Sequence, residues 1–254
     1  MRNELAPPTQ TRTIATKRPA NERGSAEHGW LHAKFTFSFG DYFNPDHMGF
    51  QALRVINNDT IEPGGGFPLH PHRDMEIFTY VISGRLQHRD SLGNGSIISA
   101  GNLQYMSAGS GIQHSEYNPS TTTPTHLYQI WLKPKQRGGN PRYAEKPLKD
   151  KKERNTLQLL FSPDGRDRST AIRQNASIYF AEIDAGKTVT IPTSKTQAHA
   201  WIQLIDGELD VMDTQLEKAD GLQLEQAPQE IALSAKRPTT ILVFRLADLS
   251  LEGN

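Results

Sequence analysis

The 254-residue chain contains no cysteine. Disulfides are therefore excluded, and so are thiolate metal sites, which leaves histidine and carboxylate as the plausible metal ligands. It has no run of about eighteen apolar residues, so no segment reads as a membrane-spanning helix. Residues 1–20 are polar, carry Pro7, Pro8 and Pro19, and lack the apolar stretch of a secretory signal. They read as a loose arm, and a cytoplasmic protein is expected. Net charge is absent as well, with Lys+Arg and Asp+Glu both at 28. That balance gives no electrostatic case for direct nucleic-acid binding. Helical spacing of apolar residues is scarce.

Turn formers and short apolar segments are abundant. Sixteen prolines and twenty glycines punctuate the chain. Strand-like segments recur at Lys34–Phe39, Ala52–Ile56, Ile77–Ile82, Ser96–Ser99, Leu127–Leu132, Leu157–Phe161, Ser177–Ile183, His199–Ile205 and Thr240–Phe244. Glycine-bearing breaks separate them, as at Gly64–Gly66, Gly93–Gly95 and Gly207. This is the pattern of an all-β sandwich or barrel. A basic, proline-bearing stretch over 133–152 reads as a solvated connection between two barrels, with a docking patch for an acidic partner as the alternative. The expected organisation is an arm over 1–20, a first barrel over 21–132, a linker over 133–155 and a second barrel over 156–254.

The halves read as a degenerate repeat. Tyr80-Val-Ile-Ser-Gly84-Arg-Leu matches Gln203-Leu-Ile-Asp-Gly207-Glu-Leu. Counting back from the two glycines places Thr193 and Lys195 opposite His70 and His72, and His199 opposite Glu76. No histidine follows where a second clamp would fall. One metal is expected, in the first half.

Two short pieces carry the chemistry, His70-Pro71-His72 and His114-Ser115-Glu116. On a strand, residues i and i+2 point to the same side. Each piece is therefore a two-toothed clamp, and two neighbouring strands can close His70, His72, His114 and Glu116 on one cation. Three imidazoles and a carboxylate suit iron, manganese, nickel, copper or zinc and can leave open coordination positions. Glycines before both pieces, at Gly64–Gly66 and at Gly109 and Gly111, permit sharp turns and close backbone approach.

The spacing of Gly64, His70, His72, Glu76 and Gly84 resembles the first cupin motif. Gly101, Gly109, His114 and Asn118 resemble the second, with two extra residues before the histidine and Ser107 in place of proline. Those departures, with His88-Arg-Asp-Ser-Leu-Gly-Asn94 and Met106 to Pro119, resemble the pirin family of two-barrel cupins over about residues 20–250. The resemblance implies two jelly-roll barrels and the ligand set His70, His72, His114 and Glu116. It implies one divalent transition metal, iron(II) first, and an enzyme similar to quercetin 2,3-dioxygenase. Such an enzyme opens a flavonol ring with O2, releases carbon monoxide and would use Glu116 as proton acceptor. The alternative is a redox-sensing regulator that binds a transcription factor or a metabolic enzyme.

Smaller expectations attach to other residues. Glu76 is not a pirin ligand, but strict alternation would place it on the face of His72, beside the metal. Gln129 can orient a ligand or be a satisfied core group. Phe35, Phe37, Phe39 and Met48 can line an apolar pocket or belong to the core. His88 and His126 read as structural, and His28, His32 and His47 as surface groups.

Overall fold

The computed structural model describes residues 12–148 and 153–251. Among these residues the regular elements are strands and short 3-10 turns, and no helix is long and apolar enough to cross a membrane. The strands of the first half are β1 (Ile14–Arg18), β2 (Gly24–Glu27), β3 (Leu31–Phe35), β4 (Leu53–Ile61), β5 (Gly66–His72), β6 (Glu76–Ser83), β7 (Arg85–Asp90), β8 (Gly95–Ser99), β9 (Asn102–Ser107), β10 (Ile112–Tyr117), β11 (Thr125–Leu132) and β12 (Arg142–Pro147). The second half holds β13 (Gln158–Ser162), β14 (Thr170–Ala171), β15 (Ala176–Ile183), β16 (Thr188–Ile191), β17 (His199–Asp206), β18 (Glu208–Val211), β19 (Thr214–Glu217), β20 (Gly221–Glu225), β21 (Ile231–Ala235) and β22 (Thr239–Leu246).

Each half is a large sheet facing a small one. In the first, β12-β9-β6-β11-β4-β3-β2 faces β5-β10-β7-β8; in the second, β1-β20-β17-β22-β15-β13-β14 faces β16-β21-β18-β19. From β4 to β11 the order recurs eleven strands later. The repeated glycine turns anchor the match. Gly84 has φ +76° and Gly207 φ +102°, and a Cβ at either would lie 2.6 or 2.5 Å from a carbonyl oxygen, of Pro124 or Pro238. Positive φ and that close approach both call for glycine.

Two boundaries read from the sequence need correction. Part of the supposed arm, Ile14–Arg18, is a strand paired with β20 of the second barrel. Part of the supposed linker, Arg142–Pro147, is a strand paired with β9 of the first barrel. Both cover sheet edges whose N–H and C=O groups would otherwise lack partners. Four of the five β1 side chains are exposed, so its pairing rests on backbone and leaves no apolar alternation to read. Residues 1–11 of the arm and 149–152 of the connection lie outside the described residues.

The two large sheets pack against each other through a shared apolar layer. Phe78, Tyr80, Tyr105 and Tyr128 of the first barrel meet Phe161, Phe180, Trp201 and Phe244 of the second. Strand β6 is therefore buried on both sides, which explains its nearly continuous apolar run. Inside the second barrel one continuous apolar cluster runs from Ala181 and Ile183 to Ile241 and Val243. Inside the first barrel it splits in two, around Leu31–Leu127 and around Ile77–Ile112.

Candidate metal centre

Polar side chains occupy that split. Strand register explains which groups meet. On β10, His114 lies opposite His70 of β5, while Glu116 lies opposite His88 of β7. A bulge in β5 shifts the register between His114 and Glu116, so Glu116 faces Phe67 rather than Pro68. The ligand atoms of His70, His72 and His114 lie within 4.8 Å of one another, and so do those of His88, His114 and Glu116. The four expected ligands thus fall into two overlapping triads that share His114. No third such cluster occurs among the described residues.

The imidazoles are poised as acceptors. The Nδ1 of His70 lies 2.7 Å from the Pro68 carbonyl, to which it donates, leaving Nε2 without its proton. The Nε2 atoms of His72 and His114 are buried and have no hydrogen-bond partner. Orphaned buried nitrogens are costly, and a cation between these rings would satisfy them. Burial, reinforced by the neighbouring imidazoles, lowers the pKa of His72 to about 3 and that of His114 to about 3. Both are therefore neutral, as metal ligands must be. A divalent metal fits this donor set.

Glu116 is buried, and that burial raises its pKa. The Gln129 amide donates to its Oε2 at 2.7 Å, and the Thr79 hydroxyl to its Oε1 at 3.4 Å. The Trp131 indole N–H in turn donates to Gln129 Oε1 at 3.2 Å. Beside them lies Asp59, whose pKa burial and the Glu116 charge push up to about 8. A cavity of about 850 Å³ opens onto this group. Its walls include Phe35, Phe39, Tyr42, Phe67 and Trp131, and His70, His72, Asp59, Glu116 and Gln129 form its polar end.

The structure separates the remaining candidates. Gln129 and Phe39 border the cavity. Phe37 does not: it packs on Trp201 in the layer between the barrels, with ring centroids 5.1 Å apart. Met48 is exposed, beside the 3-10 turn Pro45–His47, in a separate surface dent with Gln51 and Arg54. Glu76 is buried away from the expected ligands and accepts bonds from Tyr105, Ser107 and the Arg173 backbone. Alternation failed for Glu76 because Asp74, at φ 51°, breaks the strand between β5 and β6, which then run in different sheets. His28 borders the cavity, and His126 pairs with Asn58.

The second barrel is the same frame with the polar groups replaced. Ladder positions equate Thr79 with Ile202, Gln104 with Leu222, Gln129 with Val243 and His88 with Val211. They equate Glu116 with Leu233, His114 with Ile231 and His70 with Ile191. The counterpart of His70 is thus Ile191 rather than Thr193, because His199 follows Ile191 by eight positions whereas Glu76 follows His70 by six.

Comparison with known proteins agrees with this architecture. The Pirin family model matches residues 16–132, and the quercetinase C-terminal cupin domain matches residues 159–246. A quercetin 2,3-dioxygenase of Escherichia coli K12 is 43% identical over 229 residues, covering 90% of this chain and 97% of the relative. The chain belongs to the pirin family. A pirin-like protein of Caulobacter vibrioides is also 43% identical, over 209 residues, covering 81% of this chain and 88% of the relative. The crystal structure of the Escherichia coli pirin YhhW in complex with nickel(II) superposes with TM-score 0.87 at 42% identity, covering 92% of this chain and all of that one. The fold is two cupin barrels in one chain, and the family binds a divalent metal, nickel in that neighbour.

Asp59 gives the pirin centre a measurable pH signature. Its folded pKa of about 8 lies above the ordinary 3.8, so the fold holds a proton that the unfolded chain has released. The stability it contributes is complete below about 4 and is lost as pH rises towards about 8. The Asp59→Asn variant is therefore expected to gain on the wild-type protein across that window. Thermal melts in chelator over a pH series check it, and a constant difference between the two proteins would count against the assignment.

Proposed function

We propose that this pirin is a metal-dependent dioxygenase that opens the heterocycle of flavonols with O2 and releases carbon monoxide, resembling quercetin 2,3-dioxygenase. The observation that carries this reading is the aromatic-walled cavity converging on His70, His72 and Glu116. Its volume of about 850 Å³ suits a flat, three-ring polyphenol. In this reading His70, His72, His114 and Glu116 hold one divalent ion, iron(II) first, with copper, manganese, nickel and zinc compatible with the same donors. An ion held by these residues would supply Lewis acidity towards the substrate's oxygens and redox access to O2.

The protein's own groups do the rest. Glu116 accepts the flavonol hydroxyl proton, and burial makes its carboxylate a stronger base than an exposed one. The chain from Trp131 through Gln129 fixes where that carboxylate points. Phe35, Phe39, Phe67 and Trp131 orient the flat rings and exclude water.

Metal-loaded protein is expected to consume O2 in step with quercetin and to release one carbon monoxide per turnover. Glu116→Gln, with metal content matched to wild type, is expected to lose about 10²- to 10⁴-fold in kcat, the usual range for a general base. Full turnover in that variant would remove the proton-acceptor role. No turnover with any of the five ions would transfer the reading to the regulatory class.

A further inference from the structure

The geometry points to Asp90 and His88 as positioning residues that fix the proton of His114 on Nδ1 and so keep its Nε2 free for the metal. This inference rests on His114 being a ligand, as proposed above. It starts from a turn. The Asp90 Oδ1 accepts the backbone N–H groups of Leu92 at 2.9 Å and Asn94 at 3.0 Å, and Oδ2 accepts the Asn94 side-chain amide at 2.8 Å. Asp90 is thus a firmly seated carboxylate. Its Oδ2 also lies 3.4 Å from His88 Nε2, and the side chains of both residues are inaccessible to solvent.

A carboxylate can only accept, so His88 must carry its proton on Nε2. In the neutral ring Nδ1 is then the acceptor, and two groups face it. Gln104 Nε2 is 2.9 Å away, and His114 Nδ1 is 3.4 Å away. The contact between the two Nδ1 atoms needs a proton, which only His114 is left to provide. His114 is therefore protonated on Nδ1. Its Nε2 bears a lone pair, and this is the buried atom without a partner. Stacking of His88 on Tyr143, with centroids 5.1 Å apart, holds the relay ring in plane. The order of transfer is turn, Asp90, His88, His114, metal. Partners of this kind orient imidazole ligands and raise their basicity, and losing one costs roughly ten- to a hundredfold in metal affinity.

The test inverts the relay. In Asp90→Asn the two backbone N–H groups retain the amide oxygen, so the amide NH2 turns towards His88. His88 must then accept at Nε2 and carry its proton on Nδ1, which drives the His114 proton onto Nε2, the metal-facing atom. Nickel(II) titration of the full chain against a competing chelator is expected to show a loss of about ten- to a hundredfold. With Asp90 in place, His88→Gln donates its amide NH2 to the carboxylate and offers its amide oxygen to His114, so it should bind nickel within a few-fold of wild type. His88→Leu has no polar group to read residue 90, and adding Asp90→Asn to that variant should cost nothing more.

Unchanged affinity in Asp90→Asn would overturn the proposal, as would equal losses from that change in both backgrounds. His88→Gln losing as much as His114→Gln would overturn it too, because His88 would then be a ligand itself. Should His114→Gln keep its nickel, the ligand assignment fails rather than the relay. Long-range proton–nitrogen NMR on metal-free wild-type protein reads the tautomers without any variant. Protonation of His88 on Nε2 alone and of His114 on Nδ1 alone is expected; the opposite tautomers, or a doubly protonated His88, would end the argument.

Discussion

Replacing His114 by alanine is expected to remove metal and turnover together, and more completely than replacing His70 or His72. The reason is position. His114 is the one imidazole common to both triads. Its ring centre lies 4.4 Å from that of His70, 4.9 Å from His72 and 5.2 Å from His88. Losing His70 still leaves His72, His114 and Glu116 around the same space. Losing His114 leaves the His70–His72 clamp on one side and the His88–Glu116 pair on the other, with nothing between them. Structural four-ligand zinc sites bind with roughly 10–16 kcal/mol, and on that scale one ligand of four accounts for several kcal/mol. With each 1.4 kcal/mol worth tenfold, nickel affinity should fall by about a thousandfold or more. Elemental analysis after dialysis and nickel titration check the ranking. A His114→Ala protein that keeps one metal per chain would refute it.

How much of this centre the sequence discloses follows from what a strand can hide. The two clamps are visible because both teeth of each lie on one strand, where period two is a local rule. Glu116 is visible for that reason, yet its partner is not. The residue facing it across the ladder is His88, twenty-eight positions earlier in the chain, and strand register is not a local property. One signal was present. Leu86, His88 and Asp90 alternate with exposed or half-buried neighbours, so His88 shares the inward face of Leu86. Glu76 shows the converse error, since alternation was carried across a turn that resets it.

The barrels themselves were legible from glycine turns and apolar segments. The edge strands were not, because Ile14–Arg18 and Arg142–Pro147 are held by backbone pairing rather than by an apolar face. The replacement of the metal cluster by apolar side chains in the second barrel could be expected from its lack of a histidine pair, His199 being the one histidine after residue 126. That barrel's face-to-face packing on the first could not, because aromatics such as Phe37 and Phe39 look alike in sequence. One lies between the barrels and the other borders the cavity.

That packing carries the other large expected effect. Trp201 is a second-barrel residue, 1% exposed, whose ring meets Phe37 at 5.1 Å and Phe50 at 6.1 Å across the divide. Trp201→Ala removes the largest side chain of the shared layer. Such a change costs about 3–5 kcal/mol through lost burial and the void it leaves. For a chain of this size roughly 2–4 °C of Tm accompanies each kcal/mol, so a fall of about 6–20 °C is expected. Nickel affinity measured well below the melt should be unchanged. Phe78 and Tyr80 of β6 face the second barrel, whereas Thr79, between them, faces Glu116, so the shared layer and the metal lie on opposite sides of one sheet. On this account the second barrel is a brace. It keeps the large sheet of the first barrel buried on its outer face, which holds the strands bearing Thr79 and Gln129 in register. A Trp201→Ala protein that melts within about 2 °C of wild type would show that the brace contributes little; one that is folded but no longer binds nickel would show that the two sides of the sheet are not independent.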